Sequence, residues 1–268
     1  MKIGFLITAR LKSSRLPMKL LLDLNGKSVV ERVIERCKLV SGVSEIVLCT
    51  SLDPQDRPLT DIALKNNIHY YLGNPVDVLQ RLADAAAFFG LDYIINITGE
   101  NPLFSIHHAN LVMDQARKEK NDFIFVSGLP IGCAVYGIRT EALNTVCEYK
   151  EEIDTEIWGL LINRPEIFSV HEIQVGHDSQ FSNIRITTDY YEDYLFIQKI
   201  YSYFPSTSVP SYSAVAELLK QHPDLMRINN EHSQAALDPE VIDRINAFFI
   251  NNKERVLSIK NKNYNDQR

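Results

Sequence analysis

The feature that most constrains the fold is an alternation of short apolar runs and amphipathic segments over the first 125 residues. Four runs are typical of buried strands, namely "KIGFLIT", "EIVLCT", "HYYLG" and "DYIINIT". The segments that follow them repeat apolar residues at helical spacing: "SVVERVIERCKLV", "PLTDIALKNN", "PVDVLQRLADAAAFFG" and "HHANLVMDQARKEK". Apolar strands that alternate with helices are typical of a parallel sheet with helices on its faces. The sequence therefore predicts an α/β fold with a mostly parallel sheet flanked by helices.

The pattern becomes less regular after residue 125. The runs "GCAVYGIR", "FSVHEIQ" and "NIRITTD" are predicted as strands, and "DTEIWGLLIN" and "YEDYLFIQKIYSYF" as helices. Beyond Pro205 the chain is polar and has a helical pattern. Since no convincing linker interrupts the chain, we expect one domain over residues 1–268. It would include a central insertion at about 127–182 and a helical C-terminal extension at about 206–268.

Composition narrows the class of protein. Of the 268 residues, 45% are hydrophobic and 23% are charged, as in globular domains that bury a sizeable core. No apolar run approaches the roughly 20 residues of a membrane span, and the N-terminal apolar stretch is too short for a signal peptide. The four cysteines are widely spaced, which favours buried free thiols at Cys37 and Cys49 and a cytoplasmic location. A net charge of −6 argues against general nucleic-acid binding.

Four cations follow the first predicted strand within ten residues: Arg10, Lys12, Arg15 and Lys19. In open α/β sheets, ligands bind beyond the carboxyl ends of the strands. Arginine and lysine at that edge suit phosphate oxygens, so the loop is interpreted as a triphosphate clamp. A solvated basic loop is the alternative. The chain lacks a GxGxxG fingerprint here, and the "NGKS" at 25–28 lacks the earlier glycine that a phosphate loop requires.

Two carboxylates follow predicted strands at the same edge of the sheet. Glu100 comes after "IINIT" and Asp189 after "IRITT". Mg²⁺ prefers one or two carboxylates together with substrate phosphates and water, so both residues are candidate metal ligands. The alternative for Glu100 is a carboxylate that caps the helix beginning near Ser105.

Further polar residues are candidates for the nucleotide site. Thr50 and Ser51 end the second strand and are placed to line a base pocket. Asp77 and Arg81 lie one helical turn apart, which is compatible with a surface ion pair or with contacts to the nucleotide.

Several motifs, in order along some 200 residues, resemble those of bacterial cytidylyltransferases. "ARLKSSRLPMKLL" resembles the ARxxSxRLPxKxL signature that opens these enzymes, among them those that activate 3-deoxy-manno-octulosonate and acylneuraminates. "GNPVDVLQRLADAA" resembles GxxxDVLxRxxxAA, "ITGENPL" stands where the family has ITGDCPL, and "ITTDYYEDYLFIQKIY" resembles LTVDxPEDFxxIxxIY. The resemblance is strongest to the spore-coat polysaccharide type.

The resemblance implies a nucleotidyltransferase with a Rossmann-like sheet of the nucleotide-diphospho-sugar transferase type. Such an enzyme binds CTP and Mg²⁺ and joins CMP to a small acidic or sugar-like acceptor, with release of pyrophosphate. The catalytic residues it implies are Arg10, Arg15 and Lys19, and the metal ligands are Glu100 and Asp189. The nucleotide-binding residues are Ala9, Arg10, Arg15, Lys19, Thr50, Ser51, Asp77, Arg81, Thr98 and Gly99. Glu100 replaces the aspartate that is usual in the family.

The central region departs most from the family pattern. Family members recognise the acceptor there and often form dimers, so a homodimer is expected. Where the spore-coat type has a DREHVT-like stretch, this chain has "EEIDTEIWGLLINRPEIF". Asp154, Thr155, Glu156 and Trp158 are therefore candidates for a different acceptor pocket, or else they simply begin an ordinary helix with Trp158 in the core.

Two other functions compete with the cytidylyltransferase. A glycosyltransferase that uses a nucleotide-sugar donor would ordinarily carry a DxD metal motif, whereas "GENPL" supplies one acid. A non-catalytic nucleotide-binding protein is favoured only by Glu100 and the altered central region. Neither a metal-binding histidine spacing nor a Gly-x-Ser-x-Gly elbow is present.

Overall fold

The computed structural model describes residues 1–151, 158–176, 184–232 and 237–265 of the chain. The strands in these ranges are β1 (Ile3–Thr8), β2 (Glu45–Ser51), β3 (His69–Gly73), β4 (Tyr93–Thr98), β5 (Phe123–Ser127), β6 (Tyr136–Arg139) and β7 (Val170–Gln174). The α-helices are α1 (Val29–Cys37), α2 (Arg57–Lys65), α3 (Val78–Phe88), α4 (Ile106–Glu119), α5 (Thr140–Tyr149), α6 (Trp158–Ile162), α7 (Tyr191–Ser202), α8 (Tyr212–Gln221) and α9 (Pro239–Asn265). Short 3-10 turns lie at Lys19–Leu21, Pro54–Asp56 and Pro223–Arg227.

The strands form one seven-stranded sheet in the order β3-β2-β1-β4-β6-β5-β7. Neighbouring strands are parallel except at β6, which is antiparallel to both β4 and β5. At the centre of the sheet, Thr8 at the end of β1 pairs with Cys49 on one side and with Thr98 on the other. The predicted mostly parallel sheet is confirmed, and the carboxyl ends of its first four strands lie at one edge.

Helices cover both faces of the sheet, and the side chains of β1 divide between them. Phe5 and Ile7 belong to one apolar core, which includes buried residues of α1, α4, α7 and α8. Leu6 belongs to the other core, which includes buried residues of α3, α5, α6 and α9. Successive residues of a strand project to opposite faces. A strand that is covered on both sides is therefore apolar throughout, as "IGFLIT" is.

The "NGKS" segment forms a tight turn and a helix start. Asn25 and Gly26 both have positive φ angles, of 57° and 86°. Ser28 then caps α1 in a capping box, in which its hydroxyl accepts from Glu31 N and its own N–H donates to the Glu31 carboxylate. This start fixes where the basic loop ends and α1 begins.

The second half of the chain differs from its prediction in two elements. The segment "TEALNTVCEY" forms α5, a helix that the sequence pattern did not indicate. The segment "NIRITTD" was expected to be a strand, but its described residues make only an isolated bridge between Arg185 and Ile131. The reason is that its N–H groups have different partners: Ile186 N donates to Ile131 O, and Thr188 N donates to Glu100 O. Because its N–H groups donate to two separate loops, the segment forms no continuous ladder of hydrogen bonds with one neighbouring strand.

The central region contributes to the main sheet. β6 lies between β4 and β5, while β7 is an edge strand that pairs with β5. β6 is therefore enclosed within the sheet, and β7 is the central strand that lies at an edge. The C-terminal part is helical as predicted, and α9 packs on α5 through Ile245, Phe249 and Val256, which are all buried.

One expectation from composition is also reflected in the structure. Cys37 and Cys49 are buried free thiols, as predicted. Burial raises the pKa of Cys49 to about 12, so this thiol stays protonated near neutral pH. In the described parts of the chain, no helix has both the length and the apolar character that crossing a bilayer requires.

Candidate active site

The loops that leave β1 and β4 meet at the carboxyl edge of the sheet. Gly99 N donates to Thr8 O at 2.8 Å, and Ala9 N donates to Cys49 O at 3.1 Å. A Cβ atom on Gly99 would lie 3.2 Å from the Cβ of Ala9, so glycine allows this close approach. The hydroxyl of Thr98 accepts a hydrogen bond from Asn101 Nδ2 at 2.7 Å. Three predicted nucleotide-binding residues, Ala9, Thr98 and Gly99, therefore lie where the two loops leave the sheet.

Five charged side chains lie together at this edge: Arg15, Lys19, Glu100, Arg185 and Asp189, hereafter the Asp189 cluster. Lys19 Nζ donates to Asp189 Oδ1 at 2.8 Å and lies 3.8 Å from Glu100 Oε1. Arg15 Nη2 is 3.6 Å from Asp189 Oδ1, and Arg185 Nη2 is 3.1 Å from Asp189 Oδ2. The structure thus brings the predicted metal ligands next to two of the three predicted catalytic cations.

The backbone holds the two carboxylates side by side. Thr188 N donates to Glu100 O at 2.9 Å, which joins the loop after β4 to the segment before α7. Glu100 does not cap α4, because Ser105 takes that position and its hydroxyl accepts from His108 N. The helix-cap alternative for Glu100 is therefore wrong.

The cations of the cluster keep Asp189 ionised. Burial by itself would raise the pKa of this carboxyl. The hydrogen bond and charge of Lys19, together with the charges of Arg15 and Arg185, outweigh burial and hold the pKa below its usual value. These three cations face two carboxylates, and Arg185 is also paired with the buried Asp193, so the positive and negative charges at this edge balance.

The donor set of the cluster fits a magnesium ion shared with a substrate. Asp189 and Glu100 supply hard carboxylate oxygens, and both have an oxygen within 4 Å of the same Lys19 ammonium. Among the described residues, no group of three or more His, Cys, Asp or Glu side chains forms a complete metal cage. Mg²⁺ is usually held by one or two carboxylates, with phosphate oxygens and water completing the octahedron. These two residues are therefore suited to that ion only in company with a phosphate ligand.

Arg10 makes its contacts with a different group of residues, near the end of β2. Its Nε lies 3.5 Å from Asp56 Oδ2, and its Nη1 donates to Pro75 O. Asp56 is buried, and it also accepts from Ser51 Oγ at 2.6 Å and from Leu11 N at 2.7 Å. The predicted base-pocket residue Ser51 therefore anchors Asp56, which in turn holds the start of the basic loop. We refer to Arg10, Ser51 and Asp56 as the Arg10 group.

Asp77 and Arg81 are both buried, so their interpretation as a surface ion pair is wrong. Asp77 caps α3 by accepting from Gln80 N, and its other oxygen accepts from Lys150 Nζ. Burial lowers the pKa of Arg81, and the charges of Arg10, Asp56 and Asp77 act on its guanidinium.

Two buried polar atoms lie beside the Arg10 group without a protein partner among the described residues. Among the described residues, neither Arg81 Nε nor Thr50 Oγ1 has a hydrogen-bond partner. Because buried polar atoms are normally paired, both are noteworthy near a predicted base pocket.

Of the acceptor candidates, Asp154, Thr155 and Glu156 lie outside the described residues. Trp158 begins α6 and is half-buried. Its ring packs edge-on against Tyr136, with centroids 5.0 Å apart, and lies 6.3 Å from Phe123. These contacts are with strands of the main sheet, as expected for a helix that packs on the core.

Sequence reasoning missed four polar residues that organise the site: Asp56, Lys150, Arg185 and Asn229. Arg185 had a usable signal, since it precedes Asp189 and Asp193 at intervals of four residues. The other three had none, because their partners are distant in sequence or belong to irregular turns.

Comparison with known proteins agrees with this geometry. A model of the cytidylyltransferase family matches residues 5–182, which is more than half of the chain. The chain belongs to the cytidylyltransferase family. It is accordingly a nucleotidyltransferase, and the family predicted from the sequence motifs is confirmed.

The chain is also similar to individual proteins. The spore coat polysaccharide biosynthesis protein SpsF of Bacillus subtilis is 22% identical over 229 residues, which cover 83% of this chain and 95% of that protein. The 3-deoxy-manno-octulosonate cytidylyltransferase of Chloroherpeton thalassium is 37% identical over 105 residues, which cover 38% of this chain and 41% of that protein. The structure of a cytidylyltransferase from Leptospira borgpetersenii serovar Hardjo-bovis superposes with a TM-score of 0.77 at 26% identity, over 89% of this chain and 100% of that one.

Proposed function

We propose that this cytidylyltransferase requires Mg²⁺ and transfers CMP from CTP to an acidic sugar, phosphosugar or phosphonate-like acceptor, with release of pyrophosphate. The observation that carries the proposal is the position of Lys19 Nζ between Asp189 and Glu100, with Arg15 beside them. Fixed cations next to two carboxylates are what a metal–triphosphate ligand requires.

The basic loop is assigned to the triphosphate. When the acceptor oxygen attacks the α-phosphorus, negative charge grows on the phosphate oxygens and on the departing pyrophosphate. Lys19 is fixed in position by its carboxylate partners. We assign the more exposed Arg15 to contacts with the departing pyrophosphate. Because these charges are positioned before the reaction, they stabilise the transition state more than the ground state.

Asp189 and Glu100 are the residues that would hold the magnesium ion. When bound, Mg²⁺ supplies neutralisation of phosphate charge and alignment of the α-phosphate. Glu100 is one methylene longer than the aspartate usual in the family, and its Oε1 lies 3.8 Å from Lys19 Nζ against 2.8 Å for Asp189 Oδ1. We therefore assign the larger share of metal binding to Asp189.

The cytosine and ribose are assigned to the other end of the loop. The Arg10 group lies there, together with the unpartnered Arg81 Nε and Thr50 Oγ1. Buried donors without a partner discriminate well between bases, because a wrong base leaves them unsatisfied. In this assignment Arg10 contacts the nucleoside side of CTP, while Arg15 and Lys19 contact the phosphates.

The acceptor class and the pathway are inferred from the relatives. One relative is named for spore-coat polysaccharide synthesis and another for 3-deoxy-manno-octulosonate. We therefore propose a small acidic acceptor used in surface polysaccharide synthesis, bound next to the central region that contains Trp158.

The test is nucleotide preference followed by turnover. Thermal-shift titration with CTP, ATP, GTP and UTP in Mg²⁺ should show the largest stabilisation with CTP. Pyrophosphate release should then be measured with CTP and a panel of acidic sugars, phosphosugars and phosphonates. A clear preference for GTP or UTP would contradict the assignment of cytosine, and cleavage of a nucleotide-sugar without pyrophosphate release would favour a glycosyltransferase.

A further inference from the structure

Asn229 links the C-terminal part of the chain to the Asp189 cluster. It follows the 3-10 turn Pro223–Arg227 and is 4% exposed. Its side-chain Nδ2 donates to Asp193 Oδ1 at 2.8 Å and to the backbone oxygen of Arg185 at 3.0 Å. Both bonds are made to the segment that carries Asp189, so this one amide joins two parts of the chain next to the proposed metal site.

The partner of Asn229 is a carboxylate at the centre of a buried network. Asp193 is 0% exposed. Its Oδ2 accepts from the backbone N–H groups of Asp189 and Tyr190, at 3.2 and 3.1 Å, and lies 3.3 Å from Arg185 Nη2. Asn229 donates to the other oxygen of Asp193, Oδ1. A buried charge that is bonded on both oxygens keeps one orientation, because any rotation breaks several bonds at once.

In the same network, the two carboxylate oxygens of Asp189 have different partners. Oδ2 is held from the protein side by Arg185 Nη2 at 3.1 Å and by the Thr187 hydroxyl at 3.4 Å. Oδ1 faces the basic loop, where it lies close to Lys19 Nζ and Arg15 Nη2. The orientation of the ligand-facing oxygen therefore depends on Arg185, and that of Arg185 depends on Asp193 and Asn229.

We propose that Asn229 is a positioning residue for the metal site: through Asp193 and Arg185 it holds Asp189 so that Oδ1 faces the metal and the triphosphate. This role rests on the proposed function. Partners of this kind, which bond a metal ligand without touching the metal, typically contribute about 10- to 100-fold to metal affinity or activity. The proposal gives a positioning role to a residue of the C-terminal part of the chain, beyond the 5–182 range that matches the family model.

The experiment measures how much Mg²⁺ improves the binding of CTP. Calorimetric titration of CTP, once in Mg²⁺ and once in EDTA, gives a metal-dependent gain in affinity that needs neither the acceptor nor turnover. In Asn229→Ala we expect this gain to fall about 10-fold relative to wild type, with CTP affinity in EDTA unchanged. Asn229→Asp is nearly isosteric but places a carboxylate against Asp193, so it should lose at least as much of the gain.

Asn121 provides a matched control. It is 7% exposed, and its side chain also makes two hydrogen bonds, to Ser169 and Gln115. It precedes β5, at the amino edge of the sheet, opposite the active site. Asn121→Ala should therefore lose stability to a similar extent while keeping the full metal-dependent gain.

The possible outcomes separate this role from a structural one. If Asn229→Ala and Asn229→Asp keep the wild-type gain, or if Asn121→Ala loses as much of it as they do, Asn229 has no positioning role. Should Asn229→Ala fail to fold, the same titrations on Asn229→Ser, which shortens the side chain and adds no charge beside Asp193, decide alone. If wild type itself shows no gain, the proposed metal site fails and this inference fails with it; a wild-type gain that survives in the variants leaves the proposed function intact.

Discussion

At the scale of single residues, Lys19 connects the two parts of the proposed chemistry. Its ammonium is buried between two carboxylates, Asp189 and Glu100, on a loop that also carries Arg15. Without a ligand Lys19 is paired with both carboxylates; in the proposed function the carboxylates would hold Mg²⁺ and Lys19 would donate to phosphate oxygens. The proposed metal–triphosphate ligand would supply both the cation and the anion that this pairing requires.

Asp189→Asn tests the charge of the proposed principal metal ligand. The substitution keeps the shape but removes the negative charge, so we expect Mg²⁺-dependent pyrophosphate release to collapse while CTP still binds. Turnover with each acceptor and calorimetric CTP binding check this. Asp61→Asn, on the exposed face of α2, is the control and should behave as wild type. Wild-type turnover in Asp189→Asn would remove Asp189 from the mechanism.

Two substitutions of Glu100 test the second proposed metal ligand. Glu100→Asp restores the residue that is usual in the family and should be tolerated or improve turnover, whereas Glu100→Gln should be harmful because it removes a carboxylate oxygen. If both Glu100 variants keep wild-type turnover, the proposed metal site has one protein carboxylate, that of Asp189.

The triphosphate clamp is tested by Arg15→Ala and Lys19→Ala. Each should reduce turnover by at least about 10-fold without unfolding the protein, because a lost transition-state contact commonly costs about 2–4 kcal/mol. Lys12→Ala is the matched control: it is an exposed cation on the same loop, and we expect it to change turnover little. If Arg15→Ala and Lys19→Ala keep near-wild-type turnover, as Lys12→Ala is expected to do, the loop is an ordinary solvated basic loop.

At the scale of elements, α9 belongs to the core although it lies beyond the range that matches the family model. Phe249 on this helix packs edge-on against Tyr149 with centroids 5.5 Å apart, and the Arg164 guanidinium lies 4.3 Å from its ring. The helix therefore covers α5 and α6, the two helices that follow β6 in the chain.

Neighbouring positions on α9 give a direct stability test. Phe249 is 4% exposed and Ile250 is 79% exposed. Phe249→Ala should lower the free energy of unfolding by about 3–5 kcal/mol, because it removes a buried ring and leaves a cavity. Ile250→Ala should stay within about 0.5 kcal/mol of wild type. Urea denaturation measures both, and equal effects would show that α9 does not pack as described.

At the scale of the whole molecule, the two edges of the sheet are β3 and β7. β7 belongs to the central region, is half-exposed, and pairs with β5 on one side. An edge strand presents unpaired backbone groups that favour association with another chain. We therefore still predict a homodimer through the central region, although β6 is enclosed in the sheet.

Light scattering coupled to size-exclusion chromatography at micromolar concentration measures the oligomeric state. The expected mass is twice the 30.6 kDa of the chain. A monomer across the concentration series would contradict the prediction.

The alternation of strands and helices, the basic loop and the carboxylate of Glu100 after an apolar strand were all readable from the sequence. Each is encoded in a short window, because periodicity, helix capping and the chemistry of a strand end involve residues close together in the chain. The parallel sheet follows from that alternation, and a shared carboxyl edge follows from the parallel sheet. This is why Lys19 and Glu100 could be assigned to one edge before any distance was known, whereas Asp189 was assigned there from a predicted strand and reaches it through an irregular segment.

Only the tertiary structure decided which of these residues touch. Lys19 and Asp189 are 170 residues apart, and Asn229 lies 36 residues beyond Asp193. The antiparallel position of β6, the separation of Arg10 from Arg15 and Lys19, and the burial of Asp77 and Arg81 likewise depend on how distant segments pack. A local pattern specifies the face or edge on which a side chain lies. Its partner across the molecule is chosen by the global minimum of packing and charge pairing, to which every element contributes.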